Sequence, residues 1–210
     1  MLKFNQFYLQ LALILLLAAG CVSTGPAPTA GITTTVAAPP TATPYPLPQT
    51  YTSPDGALTV RYPADWTAGV LGRSVSLSST VDLASQVTQR TFAPDEIVIL
   101  IDYANRADVA AALGLDANFT LEQLGAANEV AESTETIQLN GKPTVAQVGL
   151  IELEGIAADV YALTFEVDGV LVTVTAYGGP RQIEKLKPLT QGVAVALVLD
   201  ASLVSGLADG

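Results

Sequence analysis

The chain has 210 residues, with 20 acids against 9 bases for a formal net charge of −11, no histidine and one cysteine, Cys21. A Ser-His-Asp triad, a Cys-His pair, a zinc site with imidazole or thiolate ligands, a haem with axial histidine and a disulfide framework are therefore excluded. What remains is carboxylate, lysine, serine or tyrosine chemistry, or hard-cation binding through oxygen, and the acidic balance argues against a nucleic-acid partner.

Lys3 is the only charge ahead of an apolar run over residues 11–17, which ends in Ala18-Ala19-Gly20-Cys21. That order resembles a bacterial lipoprotein signal peptide with its lipobox. The resemblance implies cleavage before Cys21, after the small residues Ala19 and Gly20, and a diacylglyceryl group on the Cys21 thiol. Ala18 stands where the box usually has Leu. The alternatives are an uncleaved membrane anchor or an ordinary secretory signal. A spanning helix needs about 20 apolar residues, whereas the strongly apolar segment covers only residues 9–19, the length of a signal h-region.

Residues 22–50 hold seven prolines, eight threonines and no charge. Such a composition buries too little apolar surface to offset chain entropy, so a disordered tether is expected. Its reach is at most roughly 90 Å when polyproline-like. The expected division is residues 1–20 signal peptide, 21–50 lipidated cysteine and tether, and 51–210 one folded domain. The domain would sit at the extracytoplasmic face of a cell membrane, held by the N-terminal lipid.

The domain opens on Ser53-Pro54-Asp55-Gly56, a turn in which proline presets φ and glycine permits positive φ. Residues 58–62 alternate as a half-buried strand, and Pro63-Ala64-Asp65-Trp66 ends the hairpin. Residues 74–79 alternate again, with Val75 and Leu77 inward. Residues 81–91 are ambiguous between loop and short helix. Residues 96–103, with Ile97-Val98-Ile99-Leu100-Ile101, predict a strand covered on both faces.

Asn105 is the expected cap of a helix over 106–113, stopped by Gly114. Thr120 and Gln123 fit a capping box for a helix through about Glu132. Strands are then expected over 134–139, 144–153, 157–167 and 170–177, joined by Asn140-Gly141, Glu154-Gly155 and Asp168-Gly169. Gly178-Gly179-Pro180 ends this meander. A last helix is expected from about 183 to 203, docking on the sheet through Leu189, Val193, Leu197 and Leu203, with Pro188 near its start or at a kink. The order implies an α+β sandwich.

Three stretches, Ser53-Pro54-Asp55-Gly56 to Tyr62-Pro63-Ala64-Asp65-Trp66, Leu139-Asn140-Gly141-Lys142-Pro143, and Val167-Asp168-Gly169-Val170 before a closing helix, resemble the PsbP-like family. That family's founding members are extrinsic subunits of photosystem II. The resemblance covers roughly residues 51–203. It implies a central antiparallel sheet flanked by helices, an α/β/α sandwich, in a non-enzymatic domain that docks on partners or is associated with hard cations. It carries over no site residue.

Glu152 and Glu154, two apart on a strand, project to one face and are weak candidates for Ca²⁺ or Mn²⁺ ligands if Asp159 comes near. The competing reading is a solvated strand end. Trp66, Tyr62 and Tyr103 read as buried corner rings before ligand platforms. Arg181, Lys185 and Lys187 form a cationic cluster, read as local charge balance or as a docking patch. Asn118-Phe119-Thr120 matches a glycosylation sequon and also a helix cap. The expected function is a non-enzymatic binding or assembly accessory, monomeric, without a cofactor, with an envelope protein as partner. The alternatives are a small-molecule or Ca/Mn sensor, and an envelope hydrolase using paired carboxylates.

Overall fold

A computed structural model describes residues 45–87, 89–126, 131–153 and 156–204. The strand whose sequence is apolar at every position organises it. β5 (Ile97–Asn105) turns Ile97, Ile99 and Ile101 to one face and Val98 and Leu100 to the other, and all five are buried. A strand apolar on both faces needs cover on both, and antiparallel neighbours β4 (Ser74–Ser78) and β9 (Val170–Gly178) flank it. With β3 (Thr67–Leu71), β6 (Ala131–Leu139), β7 (Lys142–Leu153) and β8 (Ile156–Val167), they form one antiparallel sheet ordered β3-β4-β5-β9-β8-β7-β6.

Local chemistry sets the turns. Asn140 and Gly141 (φ 51° and 77°) and Asp168 and Gly169 (49° and 81°) both take positive φ twice, the two-residue hairpin geometry whose twist matches the flanking strands. The expected strands on either side of both turns are present. β3, not anticipated from sequence, joins β4 through Gly72-Arg73, with Gly72 at φ 64°.

The inner face carries one continuous core. On it lie the α-helix near the C-terminus, α3 (Ile183–Val195), through Leu186, Leu189, Val193 and Ala194, and a small sheet of β1 (Gln49–Thr52), β2 (Leu58–Tyr62) and β10 (Val198–Leu199) through Leu58 and Val60. Tyr161, buried beneath α3, places its hydroxyl 3.1 Å from Gln191 Nε2. The opening turn is fixed by Asp55, which accepts from the Ser53 hydroxyl, the Ala57 amide and, at 2.8 Å, the Tyr103 hydroxyl of β5. β1 begins at Gln49, so two residues of the stretch expected as tether pair with Tyr62 and Arg61.

The outer face is covered in pieces. A 3₁₀ turn (Leu83–Gln86) settles the ambiguous segment and brings Leu83, Val87 and Phe92 over Val98 and Leu100. α1 (Arg106–Leu113) and the Phe119 loop cover Leu171, and α2 (Leu121–Ala126) lies against β7. Gly114, at φ 65°, closes α1 as expected. Asn105 makes no side-chain cap; the Arg106 amide donates instead to Gly169 O at 2.9 Å, so the neighbouring hairpin turn serves the helix start.

Two helix expectations were too long. The capping box forms, with Thr120 N to Gln123 Oε1 at 2.8 Å and Gln123 N to Thr120 Oγ1 at 3.2 Å, but α2 ends at Ala126 and Ala131–Leu139 is strand. Residues 127–130 lie outside the described ones. Pairing of β6 with β7 from Leu139↔Lys142 back to Ala131↔Gly149 outcompetes a helix that already contains Gly125. The last helix stops at Val195, after which Val198 and Leu199 pair with Thr59 and Leu58. β-branched Val198 joins a waiting strand edge, leaving Leu203 exposed instead of docked.

Gly179 follows β9 where nothing larger fits, and a Cβ on Gly178 would press on the Leu186 side chain at 3.1 Å. A Cβ on Gly179 would sit 2.6 Å from the Phe92 carbonyl oxygen. Gly179→Ala is expected to cost about 1–3 kcal/mol, read as a lower urea midpoint at unchanged m-value; an unmoved midpoint would show that the Phe92 loop yields freely.

Candidate functional site

The outer face breaks where its cover breaks. Between the apolar cluster around Leu83 and Phe92 and the one around Phe119, the strands present a polar floor. Cross-strand pairing lines up Asp102, Thr173 and Thr164 in one row, and Ser76, Leu100, Thr175 and Ala162 in the next. Ser74 extends the first row from β4 and donates through Oγ to Asp102 Oδ1 at 2.5 Å. The Thr164 and Thr173 hydroxyls lie 3.2 Å apart. Ser76 and Thr164 are buried, whereas Asp102, Thr173, Thr175 and Tyr177 keep partial exposure.

Asp102 is packed among protein atoms yet keeps partial exposure to solvent. Burial pushes its carboxyl above the ordinary carboxylate range, and the Ser74 hydroxyl only partly offsets this. Among the described residues, no cation contributes to that balance. Tyr177 is pushed up as well, by burial first and by the Asp102 charge second, so its hydroxyl and the carboxyl share one electrostatic neighbourhood. Sequence reasoning passed over Asp102. The signal was an acid directly following five apolar residues in a strand expected to be covered on both faces, a position where a charge is costly without a role.

Elsewhere the acids hold structure. Arg90 makes a two-pronged pair with Glu96, each prong 2.7 Å, and with the Ala93 amide holds the Glu96 carboxyl down to about 2. Arg106 pairs with Glu166 and lies 4.3 Å above the Phe119 ring, fastening α1 to β8. In Asp55 burial raises the carboxyl, but hydrogen bonds from Ser53, Tyr103 and the Ala57 amide outweigh it and leave it lowered.

The residues singled out from sequence scatter. Glu152 has its backbone in β7 opposite Ala157; its side chain and all of Glu154 lie outside the described parts, as does Cys21. Asp159 Oδ2 accepts from the Gln182 and Ile183 amides at 2.5 and 3.1 Å, capping α3. Among the described residues no three His, Cys, Asp or Glu side chains group as a metal site. Trp66 and Tyr62 are half-buried against the inner core. Arg181 and Lys185 are exposed, Lys187 is 3.5 Å from Glu184, and Thr120 of the sequon is the cap of α2.

Neither a family model nor a curated protein matches the sequence. Solved structures do. A Bacteroides thetaiotaomicron protein shares 11% identity over 72% of this chain and 48% of its own, with TM-score 0.48, so the chain spans about half that protein's length. Cyanobacterial PsbP (CyanoP) from Synechocystis sp. PCC 6803 shares 12% over 72% of this chain and 92% of its own, TM-score 0.42. LpqN of Mycobacterium tuberculosis, described as involved in cell envelope biogenesis, shares 14% over 72% and 89%, TM-score 0.44. The fold class expected from sequence, α+β around an antiparallel sheet with flanking helices, is the one observed.

The shifted carboxyls give predictions of opposite sign. Glu96 has a folded pKa below its ordinary 4.5, so its contribution is complete above that pH and is lost as pH falls toward 2. Glu96→Gln is expected to flatten the fall of melting temperature between pH 4.5 and 2; an unchanged slope would remove Glu96 from acid stability. Asp102 has a folded pKa raised above 3.8, so it costs stability once pH rises through the folded value. Asp102→Asn, which keeps an acceptor for Ser74, is expected to match or exceed the wild type in melting temperature at pH 7.5. That advantage should vanish below pH 3.8; a variant less stable at every pH would make Asp102 a purely structural partner of Ser74.

Proposed function

We propose that this chain is a lipid-anchored protein of the extracytoplasmic membrane face whose folded domain is a non-enzymatic binding accessory. The polar patch of the outer face, where the Asp102 carboxyl is flanked by the Ser74, Thr164 and Thr173 hydroxyls, supports the binding half of that reading. Asp55, Glu96, Asp159 and Glu166 fasten elements of the domain to one another, whereas Asp102, held by the Ser74 hydroxyl and raised by burial, keeps partial exposure. A carboxyl raised by burial and still partly open to solvent costs stability, and such positions concentrate at functional sites.

The anchoring half rests on the order of the first 50 residues. A short apolar run, small residues, the single cysteine and a stretch without charge follow one another. Acylation at Cys21 would remove an exposed thiol and fix the domain within reach of a membrane surface. One acyl chain binds only reversibly, so the diacylglyceryl group implied by the resemblance supplies the second chain that stable anchoring needs.

Metabolic labelling with a fatty acid in a bacterial host is expected to mark the wild type and not Cys21→Ala, with the variant moving from the membrane to the soluble fraction. Equal labelling of the two would reject the anchor and leave the reading of the polar patch untouched.

A further inference from the structure

The inner-face core is open at one end. Along β8 the alternate residues Tyr161, Leu163, Phe165 and Val167 turn to that face. α3 covers the row only as far as its last turn, because the chain stops being helical at Val195 and crosses to β2, where Val198 and Leu199 pair with Thr59 and Leu58. What remains between that crossing and the β6–β7 turn is a cavity of about 240 Å³, with Phe165, Val167, Leu197 and Leu199 among the residues that line it. An apolar cavity of roughly 150 Å³ already takes up benzene. Val195 and Val198, 48% and 67% exposed, stand at its mouth. A lone exposed valine is ordinary, but here two of them adjoin half-buried Leu139, Val167, Leu197 and Leu199, so one apolar concavity is left uncovered. Lys142 is the only ionised residue lining it, is exposed, and makes no ion pair among the described residues.

We propose that this cavity takes the alkyl chain of a small single-chain carboxylate, with the Lys142 ammonium answering the head group at its mouth. The apolar floor rejects a charge, so the tail goes inward and the carboxylate stays at the rim, where an ammonium gives it a charge-assisted hydrogen bond. Two features oppose an anion: the net charge of −11, and Asp168, which lines a neighbouring hollow together with Lys142. Salt at 0.15 M confines spread charge to about 8 Å, and Glu166 of the same hollow is held by Arg106. Contact with Lys142 therefore outweighs Asp168. An anionic bilayer fits less well, because its surface is flat and repels the acidic domain as a whole. The cavity lies on the opposite sheet face from the polar patch and is independent of the anchor.

The test uses the chain from Cys21 onward with Cys21→Ser, which keeps every described residue, at pH 7.5 and 0.15 M salt. Its amides are followed by NMR during titration with octanoate, 1-octanol, octylammonium and butyrate. Saturable shifts in octanoate are expected at Leu139, Lys142, Leu197, Val198 and Leu199, with weaker binding of 1-octanol and octylammonium. Each methylene removed on the way to butyrate should weaken binding up to about four-fold. Lys142→Gln should weaken octanoate about three-fold and leave 1-octanol unchanged. Asp168→Asn, which suits the same left-handed turn position, should tighten octanoate. The proposal is overturned by shifts absent or centred elsewhere, by octylammonium or 1-octanol binding as well as octanoate, by butyrate matching octanoate, or by intact anionic phospholipid vesicles shifting these amides more than dissolved octanoate does. The wild-type shift map decides even if a variant folds poorly, and none of these results bears on acylation at Cys21, which has its own labelling test.

Discussion

The burial of β5 on both faces is the constraint from which the rest of the molecule follows. A strand carrying Ile97, Val98, Ile99, Leu100 and Ile101 in succession loses roughly 1.5–3 kcal/mol for each side chain left in water, so both faces of the sheet must be covered at its centre. On the inner face a helix and a small sheet provide that cover as one block. On the outer face there is no single block. A 3₁₀ turn covers Val98 and Leu100, a helix and loop cover Leu171, and between them the sheet reaches water.

That asymmetry is why the outer face keeps a polar patch. Where β5 runs out of apolar residues, its next outward side chain is Asp102, and its cross-strand neighbours are hydroxyl residues. A carboxyl placed there is tolerated because Ser74 donates to it. The inner face is closed by α3 and by the Tyr161–Gln191 contact, apart from an opening lined by Phe165, Val167, Ala194, Leu197 and Leu199.

Much of the sheet was legible because its signals are local. Asn140-Gly141 and Asp168-Gly169 dictate their turns whatever surrounds them, and each fixes the register of the strands it joins. The unbroken apolar run of β5 announced a doubly covered strand. The misreadings share one cause. Beyond Ala126 and beyond Val195 the local pattern still permits helix, but a strand edge elsewhere in the fold offers backbone pairing that the helix cannot match. Arginine at position 106 could not advertise that its amide would be met by a turn sixty residues away. Asp159, weighed from sequence as a third cation ligand, became the cap of α3, because the helix start falls beside the strand only after folding.

The sequence by itself determined the exclusions, the turns and the fold class. Missing imidazoles rule out their chemistry in any fold, and a residue pair that favours positive φ acts within its own turn. Only the tertiary structure decided which acids are spent and which remain open. A carboxyl's role depends on what lies within a few ångströms of it, and those neighbours come from strands and helices far apart along the chain. Asp159 and Asp102 are both acids on long strands; folding gave one a helix terminus to cap and the other a place in a polar patch on the sheet face.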